Sequence, residues 1–488
     1  MKSIAPILGF IALLVFAGPA RSDDGVEQRL KALQRQSDAL QRQTEALQRQ
    51  NRALQREIEE LRARLRPLPS SQDVARKDNN TRGPPSQRRT LSFGGQYRIN
   101  SYTADDGSAN DRQTASRVRI RQNIDIQFSE QFKTHLQFEL GHTTDNISTT
   151  ANSSRRTNVA VRHAVLDYTF DNKNALFDGM NFQAGIVPLS DHFGDTLFSS
   201  DWNYNPVAVS ITVPVGAGSL RAFAANLAEG DEAIAEDDFV HYQLDYTLPL
   251  AAGNQLDLAA TLINLADPTG KDRLYGSAAI GIGLWLADGV RMRAFVMGSI
   301  TEKELLGLSK DARGVAASVE LLMENGLGLL LTHTTGSADG GGFLVPMALA
   351  ATNGYWGYTG LLTVQGPTDT GFDGDAVNVS NNGFGMTTVQ VKYATPLSSK
   401  LGLYLAAGWF GNSDVPKARN SLVGFDFLAM GTFRFNQILA LDFGVAYARL
   451  EDSVSGYANG VIGGAIFNRR VGKDRNKTAF FSRLQAEF

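Results

Sequence analysis

From residue 91 to the C-terminus, apolar and polar side chains alternate with a period of two. In 117–128, Val118, Ile120, Ile124, Ile126 and Phe128 share one face, while Arg117, Arg119, Arg121, Asn123, Asp125 and Gln127 share the other. A two-residue turn, Ser129-Glu130, leads into a matching segment. There Phe132, Leu136, Phe138 and Leu140 oppose Lys133, His135, Gln137 and Glu139. The same pattern recurs at 240–248 and 423–435. Strands of about ten residues with one apolar and one polar face are the mark of a transmembrane β-barrel. Short turns at 129–130, 288–289, 324–326 and 436–437 alternate with long polar loops at 141–158, 229–238, 337–383 and 451–477. That asymmetry predicts a closed all-β antiparallel barrel over 91–488, with turns on the periplasmic side and loops outside. Closure follows because hydrocarbon leaves no partner for an unpaired backbone group. The alternation predicts about 16–18 strands, with 180–228 and 338–383 ambiguous, and such a barrel is wide enough for an aqueous lumen.

The period is different upstream. In 26–65, Leu33, Leu40, Leu47, Leu54 and Leu61 recur every seven residues, and the companion seam positions are Leu30, Ser37, Thr44, Asn51, Ile58 and Leu65. A sustained heptad predicts a coiled coil over 23–66, with Asn51 and its polar neighbours setting register and oligomer state. The alternative is a single solvated helix, which would leave the leucine stripe in water. Pro67 and Pro69 end the helix, and the polar, aperiodic 67–90 reads as a flexible linker. Residues 1–22, with Lys2, an apolar run over 4–17 and Ala20-Arg21-Ser22, read as a cleaved signal peptide. These segments place the barrel in the outer membrane and the helical segment in the periplasm.

Composition narrows the function. A net charge of -3 gives no global basic field for nucleic acid. With no cysteine the chain is no disulfide scaffold, and its six histidines show no metal-ligand spacing. Asp369, Asp373 and Asp375 are spaced like calcium ligands but lack the closing glutamate. No Ser/His/Asp set is evident. The expectation is a protein without enzyme activity, cofactor or metal.

Chemistry-bearing residues lie on the polar strand faces. Arg117, Arg119 and Arg121 form a ladder down one strand; Arg291 and Arg293 repeat it, and Lys133 and Arg162 are further inward candidates. Guanidinium groups bind carboxylate and phosphate oxygens in a planar fork, so such a ladder selects anions. The competing reading is a structural network with lumenal carboxylates such as Asp125, Glu139, Asp167, Asp245 and Asp257. The long aromatic and polar stretch 190–206 is expected to fold inward as a constriction loop, with Asp191, Asp195, Asp201, Trp202 and Tyr204 facing the arginines. An exposed surface loop is the alternative.

The chain ends on an amphipathic strand closed by Phe488, with Ala486, Leu484 and Phe480 on its face. A terminal aromatic here is the kind of signal read by the outer-membrane assembly machinery. Together with Leu91-Ser92-Phe93-Gly94-Gly95-Gln96-Tyr97-Arg98, the Arg117 strand and Gln183-Ala184-Gly185-Ile186-Val187-Pro188-Leu189, this organisation resembles the phosphate-selective porin O/P family. The resemblance implies a homotrimer set in lipid and lipopolysaccharide, passing small polar or anionic solutes. The family's lysine-rich outer funnel is not evident; acidic stretches stand at 229–232 and 236–238 instead. Against a passive channel stands a structural tether, in which the coiled coil reaches toward the cell wall and the barrel is only an anchor.

Overall fold

The computed structural model describes residues 89–105, 113–145, 158–171, 178–200, 204–228, 239–265, 273–303, 310–337, 341–345, 385–414, 421–450 and 476–488. The signal peptide, the heptad segment and the linker up to 88 lie outside the described residues, as does the aspartate-rich 369–375.

The strands run in chain order as β1 (Thr90–Asp105), β2 (Gln113–Gln127), β3 (Phe132–Asp145), β4 (Asn158–Thr169), β5 (Asn181–Ile186), β6 (Val207–Val215), β7 (Gly218–Ala228), β8 (Phe239–Pro249) and β9 (Gln255–Leu265). They continue as β10 (Arg273–Ala287), β11 (Val290–Thr301), β12 (Ala312–Met323), β13 (Leu327–Thr334), β14 (Thr387–Pro396), β15 (Leu401–Gly411), β16 (Leu422–Arg434), β17 (Leu439–Leu450) and β18 (Asn476–Glu487). Each pairs antiparallel with its sequence neighbours, and β1 pairs with both β2 and β18. The 18-stranded sheet is therefore a closed ring without edges. Closure is completed at the C-terminus, where Gly95 N–H donates to Phe488 O at 2.8 Å and Phe488 N–H returns to Gly95 O at 3.2 Å. The Phe488 ring stacks on Tyr97, 5.6 Å away, on the outer face of this seam.

Alternation sorts the side chains. Phe93, Ile99, Val118, Leu166, Val209, Leu244, Leu262, Ile280, Val296, Ile300, Val391, Leu405 and Phe443 are exposed on the outer face. Exposed apolar side chains on every part of such a wall are what lipid solvates. Aromatic residues gather at the turn edge of the wall, including Tyr97, Tyr168, Phe435 and Phe488, as at a membrane interface. Buried polar side chains, among them Arg98, Asp167, Gln243, Asp245, Ser299, Thr332, Gln390 and Asp442, occupy the inner face.

Candidate lumenal site

Residues 187–200 and 204–206, between β5 and β6, turn into the barrel. Val187 N–H donates to Pro206 O at 3.0 Å, so the base of the loop is closed. Gly185, the last strand residue but one, has φ 120°, and a Cβ there would come within 2.0 Å of Ala164 O. Only glycine lets β5 lie this close to β4 as the chain turns inward.

Within the loop, Asp191 organises a small hairpin. Its Oδ1 accepts from Phe193 N–H at 2.7 Å, and its Oδ2 accepts from Leu197 and Phe198 N–H at 2.6 and 3.2 Å. Gly194 and Asp195 supply two left-handed residues at the tip. Leu189, Phe193, Leu197 and Phe198 are each within 1% of full burial. Phe198 packs edge-on against Phe223 of β7 and His241 of β8, and Phe193 against Phe295 of β11. A surface loop would leave these rings in water; here they bind the loop to the inner wall.

Polar bonds fix the same loop. Arg162 Nη2 donates to Ser200 O at 2.6 Å and Arg221 Nη2 to Ser190 O at 3.0 Å. His163 Nε2–H donates to Asn205 Oδ1 at 3.0 Å. The Tyr204 hydroxyl donates to His241 Nδ1; burial pushes the hydroxyl's pKa well up, which keeps it a donor.

Val118 is exposed outside, so β2 turns Arg119 and Arg121 inward. Arg117 lies on the same register face, opposite Asn100 and Thr143. Arg119 donates to Gln96 Oε1 at 2.9 Å, and Arg98, facing it from β1, donates to Gln485 Oε1 at 2.8 Å. Arg121 and Arg162 both bind Glu139 Oε2, at 2.6 and 2.8 Å. Two cations thus converge on one anion. Arg162 reaches the lumen through a bulge: Gln137 pairs with His163 and Phe138 with Val161, so Arg162 is an extra residue on the inner face. Lys133 stands 3.6 Å from Asp167 near the turn edge, and Arg293 stands 4.0 Å from Glu320. Arg291 lies over the Trp285 ring.

Two expectations of the sequence change. Asp191 does not face the arginine strand; it is buried inside the loop, its oxygens occupied by loop amides. Tyr204 is likewise buried and turned to the wall rather than to the pore. Asp195 is half-buried at the tip. Asp201 and Trp202 lie outside the described residues. The ladder and network readings also prove not to be exclusive, since Arg121 sits in the Arg face of β2 and in an ion pair.

Residues that sequence reasoning passed over include Arg221, which pairs with the expected lumenal Asp245 (2.8 Å), Arg483 with Asp442 (2.6 Å) and Lys392 with Glu320 (2.6 Å). Each lies at an inward position of an alternating strand, which was the available signal. Phe343, Leu344 and Val345 are also buried, with Phe343 N–H donating to Thr335 O at 2.9 Å and Leu344 O accepting from Thr301 Oγ1 at 3.4 Å. The start of the β13–β14 connection is thus a second segment packed within the barrel, seated against Gly314, where a Cβ would meet Phe343 N at 2.0 Å.

A closed 18-stranded ring with an apolar outer band, a charged inner face and an inward-folded loop between β5 and β6 is the architecture of a transmembrane β-barrel of the porin fold. No protein-family model matches the chain, and no curated protein matches it either. Solved structures with this fold include OccK5 (OpdH) of Pseudomonas aeruginosa, 10% identical with a TM-score of 0.50, covering 82% of this chain and 98% of that one. OccAB1 of Acinetobacter baumannii is 10% identical with a TM-score of 0.51, covering 82% and 97%. The anion-selective porin of Comamonas acidovorans aligns over 82% of this chain and 100% of its own, at 10% identity and a TM-score of 0.39. At this identity the likeness is one of fold.

Proposed function

We propose that the protein is a passive outer-membrane channel for small polar solutes, with a preference for anions. The observation that supports this most is the pairing of the inward loop with the arginine wall. The loop rests on β7, β8 and β11, and β2 lies nine places from β11 in a ring of 18. A solute crossing the barrel passes between the loop and the face carrying Arg119 and Arg121, with Arg162 at the junction where the loop meets that wall. Two guanidinium groups on one carboxylate leave positive charge at that face, and inside a narrow low-dielectric passage such charge lowers the entry barrier for anions. On this reading the phosphate-selective porin O/P resemblance describes the solute class, Lys133 guards the turn-side mouth, and the heptads of 26–65 hold three copies together.

The test is recording from the purified full-length protein in planar bilayers. Steady conductance with a reversal potential on the anion side of a KCl gradient is expected. A folded, inserted protein that conducts nothing would leave the tether reading in its place.

A further inference from the structure

Under the tip of the inward loop, against β9–β12, lies a cavity of about 250 Å³. It is separate from the arginine face of β1, β2 and β4. Its floor is bare backbone, because β10 turns Gly281 and Gly283 inward. A Cβ at Gly281 would come within 3.0 Å of the Phe193 ring, so that glycine makes room for the loop. Gly283 is different. A Cβ there would meet nothing within 4 Å, and its backbone is not in the left-handed region. Neither packing nor backbone conformation requires a glycine at 283; its effect is to leave space.

The flanks of that space carry opposite charges. Gly283 pairs with Gln255 on one side and Arg293 on the other. On the β9 flank, Asp257 is occupied by Thr247 and Gln255, each at 2.8 Å, with His192 of the loop at 3.6 Å. On the β11 flank are Arg291 and Arg293. Glu320, which faces Arg293 across the strands, is held by Lys392 at 2.6 Å and lies 4.0 Å from Arg293. The Arg293 side chain is 56% exposed to the lumen. Arg291 stacks over Trp285, which orients its guanidinium without neutralising it.

We infer that this trough is a solute subsite, holding a small oxyanion (a carboxylate or a phosphate) on Arg291 and Arg293 while the body of the solute lies over Gly283. Planar guanidinium forks match both oxyanions. The carboxylate flank makes the site dipolar and excludes a second anion. The inference rests on the channel reading for its route of access, but its residues differ from those assigned to selectivity.

The experiment uses the full chain in planar bilayers in KCl, with inorganic phosphate and acetate as separate probes. Each probe that binds will reduce the chloride current saturably. Two variants separate charge from space: Arg291→Gln/Arg293→Gln removes the cations, and Gly283→Leu fills the open floor while leaving charge unchanged. Saturable block by either anion, weakened tenfold or more in both variants, is the expected result, with the reversal potential of Gly283→Leu in KCl alone unchanged. Phosphate and acetate arms then report which oxyanion is preferred. Block that persists in both folded variants, or a conducting wild type that neither anion blocks, overturns the subsite and leaves the channel reading intact. If the wild type does not conduct, the channel reading fails, and equilibrium binding of phosphate and acetate to the detergent-solubilised protein and both variants decides the trough by itself.

Discussion

At the scale of single residues, Asp191 shows how a loop is held inside a pore. Burial pushes its carboxyl up to about 7, aided by the nearby Asp195 charge and opposed by the Leu197, Phe193 and Phe198 amides. The folded value lies above the free-chain value of 3.8, so the seated loop binds the proton more tightly than the unseated chain. Stability from this group is fully present below that lower value and is lost as pH rises through about 7. Protection of the 187–206 amides, measured relative to the base-catalysed exchange of the free chain at each pH, is therefore expected to fall between pH 6 and 8. Asp191→Asn should flatten that profile, and at pH 6 its loop should exchange faster, because the new NH₂ faces donors and leaves them unsatisfied at about 1–3 kcal/mol. A wild-type profile that stays flat contradicts this assignment. The sequence marked Asp191 as a pore residue because carboxylates in a lumenal loop commonly face solute. The nearby Phe193, Leu197 and Phe198 were the signal to the contrary, since apolar side chains this dense imply that the loop packs against something.

At the scale of elements, alternation made the strands legible. The alternating stretches 117–128, 240–248 and 423–435 fall on β2, β8 and β16, and the doubtful 180–228 resolves into β5, β6 and β7. Period-two patterning is this informative because each face meets a different solvent, lipid or lumen. What alternation cannot give is the bulge. Arg162 comes inward only because one extra residue on β4 shifts the register, and such an insertion has no signature in a single sequence. The turn of β5 into the loop is similarly cryptic. Gly185→Ala is expected to strain a left-handed backbone and to drive a Cβ toward Ala164 O, costing about 1–3 kcal/mol from the backbone alone. The thermal unfolding midpoint should fall, and the loop should become open to protease. Gly141→Ala is the control, because a Cβ there meets nothing within 4 Å. Equal midpoints for the two variants would show that the close approach of β5 to β4 does not hold the loop.

At the scale of the whole molecule, ring closure depends on the pairing of β1 with β18 and the Gly95–Phe488 bonds, none of which involves residues before 89. Deleting 23–66 is therefore expected to leave a foldable, heat-modifiable barrel while lowering its native mass in mild detergent. An unchanged oligomeric state would show that the heptads do not hold copies of the chain together. The architecture as a whole was readable from the chain because a barrel repeats one simple rule many times. The lumenal site was not, because it joins residues that strand periodicity treats independently: Arg162 with Ser200, His163 with Asn205, and Tyr204 with His241. The central claim is that arginines on one wall, facing an inward loop, make this barrel anion-preferring. The most direct measurement is the reversal potential of Arg117→Ala/Arg119→Ala/Arg121→Ala against wild type in a KCl gradient. The predicted result is a shift toward cation preference that shrinks near 1 M salt, where the screening length falls to about 3 Å. A folded triple variant that keeps the wild-type reversal potential would contradict the claim and leave these arginines as structural partners of Gln96, Glu139 and their neighbours.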